Sequence, residues 1–147
     1  MGDILVLLIP AQDFMPEGHT IHRIARDHQA WFAGQAIRLC SPQGRFNKEA
    51  KKLVGNLLRD VTAHGKHLFD HWSSRKIVHV HLGLYGKFRI HKIPAPEPRG
   101  AVRLRMVGKE RAFDLNGPNC CELIGTKEFL ALKQRLGEDP LRDDVCP

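Results

Sequence analysis

The sequence predicts an α+β fold: an antiparallel β-sandwich flanked by an N-terminal and a C-terminal helix. Apolar residues recur at helical spacing near each end of the chain and alternate with polar ones through its middle. Turns bearing Gly and Pro break the alternating runs into short strands.

Residues 1–14 contain the apolar run Ile4-Leu5-Val6-Leu7-Leu8-Ile9. That run is too short to span a bilayer and has no basic flank, so it reads either as a leader upstream of a true start at Met15 or as a short strand on a sheet edge. Thr20 can cap a helix in which Ile21, Ile24, Ala25, His28, Trp31 and Phe32 share a face, with Gly34 ending it. A strand is expected over Gln35–Cys40, a turn at Pro42-Gln43-Gly44, and a helical piece over Lys48–Val54. From Leu57 onward the period is two. Val78, Val80 and Leu82 face one way and His79 and His81 the other. The same alternation marks strands over Lys87–His91, Val102–Met106 and Arg111–Leu115, with a surface loop at Pro94-Ala95-Pro96-Glu97-Pro98. A last helix begins at Thr126, carries Phe129, Leu132 and Leu136 on one face, and closes at Gly137. Residues 15–137 thus read as one domain and 138–147 as the start of a linker.

Charge narrows the function classes. The 147 residues carry a net charge of +7, and between Arg38 and Arg111 there are 17 Lys and Arg against 5 Asp and Glu. Such a block fits a polyanion, nucleic acid first, or else a surface kept basic for solubility. Lys87, Arg89, Arg103 and Arg105 fall on the polar faces of their strands, where they can lie along a phosphate backbone or simply meet solvent. Cys40, Cys120, Cys121 and Cys146 form no C-x-x-C pair, which predicts free thiols rather than a structural zinc site. Histidines occur as His64-x-x-His67-x-x-x-His71 and His79-x-His81, with no carboxylate or Cys at convincing spacing, so no metal is expected.

Two segments carry chemistry. Met15-Pro16-Glu17-Gly18 reads like a processed N-terminus. A proline at a free N-terminus is a secondary amine able to attack a sugar aldehyde carbon and form an iminium, with Glu17 beside it to move protons. As an internal residue, Pro16 is a tertiary amide without that ability. In His81-Leu82-Gly83-Leu84-Tyr85-Gly86, two glycines bracket an apolar pair. Leu84 and Tyr85 either fold back into the core or stand out as a wedge that fills the place of an extruded base.

Met15-Pro16-Glu17-Gly18, Gly65-Lys66, His81-Leu82-Gly83-Leu84-Tyr85-Gly86 and Leu136-Gly137-Glu138-Asp139-Pro140-Leu141, in this order, resemble the N-terminal catalytic domain of the formamidopyrimidine-DNA glycosylase/endonuclease VIII family, in particular its actinobacterial endonuclease VIII-like branch. The resemblance runs from Met15 to about Asp144. It implies that Pro16 is the nucleophile at C1′ of a damaged nucleotide, that Glu17 protonates the sugar ring oxygen, and that Lys66 positions the reacting sugar against the DNA backbone. It further implies a phosphate contact at His81, a void-filling wedge at Leu84 and Tyr85, and base excision followed by β,δ-elimination. Thr20 stands where the family usually has a glutamate, which leaves base selectivity open. The family's second domain, with its helix-two-turn-helix element and zinc finger, has no counterpart among these residues, so no cofactor and weak activity are expected. The expected partner is damaged DNA, met by a monomer in the cytoplasm near the nucleoid and not at a membrane. The alternative is a non-catalytic DNA-binding remnant of the same family.

Overall fold

The computed structural model describes residues 18–138, and the expectations for residues 1–14, Pro16, Glu17 and the tail after Glu138 lie outside them. Helix α1 (Gly18–Phe32) starts two residues before Thr20 and packs across the β-sandwich. Ile21, Ala25, His28 and Phe32 fall on one face at helical spacing, and all are buried. His28 is the unusual member. Its ring stacks on Phe113 at 4.1 Å and 4° and meets Phe88 and Phe32 edge-on, while neither ring nitrogen has a partner among the described residues. Burial pushes its pKa down to about 3, so it sits in this aromatic box as a neutral ring.

Eight strands follow: β1 (Arg38–Cys40), β2 (Leu58–His64), β3 (His67–Trp72), β4 (Ile77–His81), β5 (Lys87–Lys92), β6 (Val102–Val107), β7 (Arg111–Asn116) and β8 (Cys120–Ile124). One turn of helix, α2 (Asn47–Lys51), joins β1 to β2. The strands pair into two antiparallel four-stranded sheets, ordered β1-β6-β7-β5 and β2-β3-β4-β8. Leu104, Met106, Phe113 and Leu115 of the first sheet meet Leu58, Val61, Leu68, Trp72, Val78 and Val80 of the second in one core. Each such buried side chain contributes about 1.5–3 kcal/mol of hydrophobic stabilisation. Helix α3 (Thr126–Glu138) covers the outer face of the second sheet, setting Phe129, Leu132 and Leu136 on Phe69 and Ile77. Glu128 reaches back to accept the Gly125 N–H at 3.2 Å, half of a capping box.

The expected α+β sandwich with a helix at each end is the observed fold. The differences are local. The strand expected from Gln35 begins at Arg38, preceded by a single bridge between Ala36 and Leu57. The helical piece expected to reach Val54 ends at Lys51. The final helix continues through Gly137 to Glu138. Cys120 is disulfide-bonded rather than a free thiol, while Cys40 and Cys121 are free. Cys121 points into the core, where burial drives its thiol pKa up to about 12.

Between Leu68 and Trp72 on β3, the alternation sends the Asp70 side chain into this same core, where it is 2% exposed and its Oδ1 has no partner among the described residues. Burial raises its pKa from 3.8 to about 7. A carboxyl whose folded pKa is raised stabilises the fold fully below its unfolded pKa. That contribution is lost as pH rises from about 4 through about 7. The loss is at most about 4 kcal/mol on the scale of 1.4 kcal/mol per pKa unit. The neutral His28 and His67 pull the other way over this range, so the Asp70 contribution is read by difference: in urea unfolding, the stability of Asp70→Asn relative to the unsubstituted chain should rise between pH 4 and 7.5. Equal slopes in both proteins would show that Asp70 ionises freely in the fold.

Candidate nucleic-acid interface

The tip of the β2–β3 hairpin is a two-residue turn, Gly65-Lys66, closed by the pair His64 and His67. Gly65 has φ 58°, and a positive φ at the first central residue fits a type II′ turn, whose twist matches that of the strands. The hairpin thereby fixes Lys66 at the end of the second sheet, half-buried.

β4 ends at the same edge of the sheet, because His81 pairs with His67 across the ladder. The chain then turns through Leu82–Gly86. This loop is closed by a hydrogen bond from the Gly86 N–H to the Leu82 carbonyl at 3.0 Å. Any Cβ at Gly86 would lie 2.4 Å from that carbonyl oxygen, so only glycine fits. Gly83, at φ 68°, lies against Asn119, whose Cβ would stand 2.9 Å from an added Cβ. The Asn119 N–H donates to the His81 carbonyl at 2.8 Å, and its side-chain amide meets His81 Nδ1 at 3.2 Å. Asn119 thus clamps both the strand end and the loop. Above this rigid base Leu84 is 62% exposed and Tyr85 83% exposed. The two side chains stand out in solvent and do not fold back into the core.

His81 itself is buried, and its ring lies parallel to that of His67 at 4.4 Å. Burial, with His79, His81 and His64 close by, lowers the His67 pKa to about 3, so a neutral ring backs His81. The start of α1 approaches from the other side. Thr20, Arg23, Asp27 and His28 form a cleft of about 310 Å³ with Leu82, Gly86 and Lys87. The described chain immediately after Pro16 and Glu17 therefore runs beside the base of the Leu84–Tyr85 loop.

Of the four cations of the first sheet, Lys87, Arg89 and Arg105 lie opposite the outward-facing Asn116 and Asp114 of β7, whereas Arg103 falls in the β6 bulge, with Arg45 and Cys121 near it. Lys87 and Arg89 lie on β5, next to the loop. Arg103 donates from Nε to Gln43 at 2.8 Å. Arg105 grips Asp114, from Nε to Oδ1 at 2.6 Å and from Nη2 to Oδ2 at 2.9 Å, and also donates to the Pro96 carbonyl at 2.6 Å. His91 reaches the same carboxylate at 3.0 Å. Asp114 is 1% exposed, and this bidentate bond holds the Arg105 pKa above its ordinary value. Arg105 therefore holds the sheet together whatever else it touches. Sequence reasoning missed Asp114, nine residues on in the β6–β7 hairpin, because the alternation gives the face but not the pairing register, and missed Asn119 because it sits in the bend before β8, 38 residues from His81.

Residues 15–118 match the family described as formamidopyrimidine-DNA glycosylase N-terminal domain, and the chain belongs to that family. Over 137 residues it is 53% identical to Endonuclease 8 1 of Mycobacterium tuberculosis (strain ATCC 25618 / H37Rv), covering 90% of this chain and 51% of that protein. Identity to Endonuclease 8 2 of Mycobacterium bovis is 31% over 137 residues, covering 90% of this chain and 52% of that protein. In fold the chain is similar to MutM, solved in complex with carbocyclic 8-oxo-G containing DNA, with a TM-score of 0.71 at 22% identity over 82% of this chain and 49% of that one. The chain spans about half the length of the curated relatives it matches.

The two arginines facing Asp114 should separate in a stability measurement. Arg105→Ala leaves a buried carboxylate short of its main partner and should cost about 3 kcal/mol in urea unfolding. Arg89→Ala, on the exposed side of β5, should change stability by less than about 0.5 kcal/mol. Equal effects would mean that the Arg105–Asp114 pair does not form in solution.

Proposed function

We propose that this chain is the catalytic half of a bifunctional DNA glycosylase and abasic-site lyase that removes oxidised bases, with Pro16 as its amine nucleophile when Pro16 is the first residue. Supporting this reading most directly is the exposed Leu84–Tyr85 pair, held on a clamped loop between the Lys66 hairpin and the start of α1. An apolar pair this exposed gains nothing in the free chain, but it can enter a duplex and stack in the space an extruded nucleotide leaves. Family membership and the cationic middle of the chain point to the same substrate.

In this reading the Pro16 nitrogen donates its electron pair to C1′, the base departs with the electrons of the glycosidic bond, and the proton lost from the Pro16 N–H balances the one the departing base takes up. Glu17 supplies a proton to the ring oxygen as the sugar opens. The resulting iminium is permanently charged and acidifies the C2′ proton. Loss of that proton expels the 3′ phosphate, and a second elimination expels the 5′ phosphate. Lys66, at the hairpin tip, holds the backbone beside the reacting sugar, and His81 contacts a phosphate. Lys87 and Arg89 extend the positive surface away from the loop. Binding through these phosphate contacts should weaken steeply as salt rises.

Borohydride trapping on abasic-site DNA tests the reading. The chain starting at Pro16 should yield a covalent adduct, and the chain starting at Met1 should not. Leu84→Ala with Tyr85→Ala should lower the trapped yield at limiting protein by tenfold or more. No adduct from the Pro16-started chain, under conditions where a full-length relative is trapped, would contradict it.

A further inference from the structure

On the outer face of the second sheet, three metal-ligand side chains of different kinds converge near the end of β4, below the Leu82–Gly86 loop. β4 and β8 pair so that His79 stands opposite Glu122 and His81 opposite Cys120. Residues two apart share a face, so His79, Cys120 and Glu122 all project to the same side. Their donor atoms lie within 4.8 Å of one another. His79 Nδ1 is 2.7 Å from Glu122 Oε2 and 3.8 Å from Cys120 Sγ.

From this geometry we propose that His79, Cys120 and Glu122 form a redox-gated site for a divalent, zinc-like cation. Tetrahedral zinc, with bonds of about 2.0–2.3 Å to N, O and S, needs donor separations of roughly 3.3–3.6 Å. The N–S pair is already near that spacing. The N–O pair is shorter because a proton now occupies the metal's place. Glu122, whose side chain is one-third exposed, can swing outward to open it and gives the ion a way in. Cys120 and His79 are otherwise buried, at 6% and 0% exposure. A thiolate and a carboxylate cancel the charge of a dication, so the occupied site is neutral, as burial requires.

The surroundings are those of a supported site. His79 Nε2 is bonded to His67 Nδ1 at 2.8 Å, the outer hydrogen bond that fixes a ligand histidine's ring and tautomer. At present the Glu122 carboxylate can only accept, so Nδ1 of His79 carries the proton and Nε2 accepts from His67. Metal at Nδ1 reverses both tautomers. His79 then donates from Nε2 to His67, and the His67 proton moves to its Nε2, which is buried with no partner among the described residues. The neighbouring Cys121 cannot substitute, because it faces the opposite side of β8 into the core.

Gating follows from the disulfide at Cys120. A phosphine reductant takes oxygen from water and is oxidised to the phosphine oxide, while the disulfide gains two electrons and two protons to give two thiols. Cation binding then releases the Cys120 thiol proton to solvent. The oxidised chain has no thiolate to offer and should not bind.

Cobalt(II) titration of the full chain reads the site without DNA, so its outcome is independent of the reading above. After phosphine reduction, a sulfur-to-cobalt charge-transfer band should saturate at one ion per chain, and zinc should displace it. Cys120→Ser should abolish the band, Cys121→Ser should leave it, and Glu122→Gln, more tolerant of folding, should weaken binding at least tenfold. The oxidised chain should show no band. Absence of the band from the reduced, folded chain, its survival in Cys120→Ser, or equal binding by the oxidised chain would each overturn the proposal.

Discussion

The register of β4 is the constraint on which the rest of the site depends. β4 lies between β3 and β8, and all five of its residues are buried. Its even-numbered residues, Val78 and Val80, fill the core between the sheets, and its odd-numbered histidines face outward. A slip of one residue would drive His79 and His81 into the hydrophobic core and turn both valines out. The ladder on each side forbids it. With that register set, β3 brings the Lys66 hairpin to the end of the strand and β8 brings Asn119 to clamp it. The Leu84–Tyr85 loop continues directly from β4, so its direction is inherited from the sheet.

The same sheet carries several groups that a purely stabilising design would replace. Asp70, on β3, has no partner for its Oδ1 among the described residues, nor does either ring nitrogen of His28, which α1 packs onto the core, and burial favours the neutral form of both. His67 is likewise neutral, pressed against His81 and bonded to His79. By contrast, charge that must persist in a buried place is fully paired, as at Asp114 with Arg105 and His91. The contrast follows from the cost of desolvating an ion, which neutralisation or a bidentate partner removes.

Much of this was legible in the sequence, and what was not has a physical cause. Strands β4 to β7 were readable because alternating patterns survive wherever a sheet has one face in the core. β3 hides its pattern, since α3 and its histidine neighbours cover the face opposite the core and burial runs almost unbroken from His67 to Trp72. β8 is short and half-buried along most of its length, and Cys120-Cys121-Glu122 gives little strand signal. The glycines of the loop were legible because the backbone needs them, as Gly86 shows. The partners of Arg105 and His81 were not, since a strand's sequence says which face a residue takes but not which strand lies beside it. For the same reason, the carboxylate and cysteine that sequence spacing failed to supply to the histidines come from β8, some forty residues away.

The proposed chemistry takes Pro16, as a free N-terminal amine, for the nucleophile and gives the Lys66 amine only a positioning role. Peptide mapping of the borohydride-reduced adduct by mass spectrometry separates them directly. The deoxyribose remnant is expected on the Pro16 nitrogen, within the N-terminal peptide. A remnant on Lys66 Nζ, with Pro16 unmodified, would contradict the assignment.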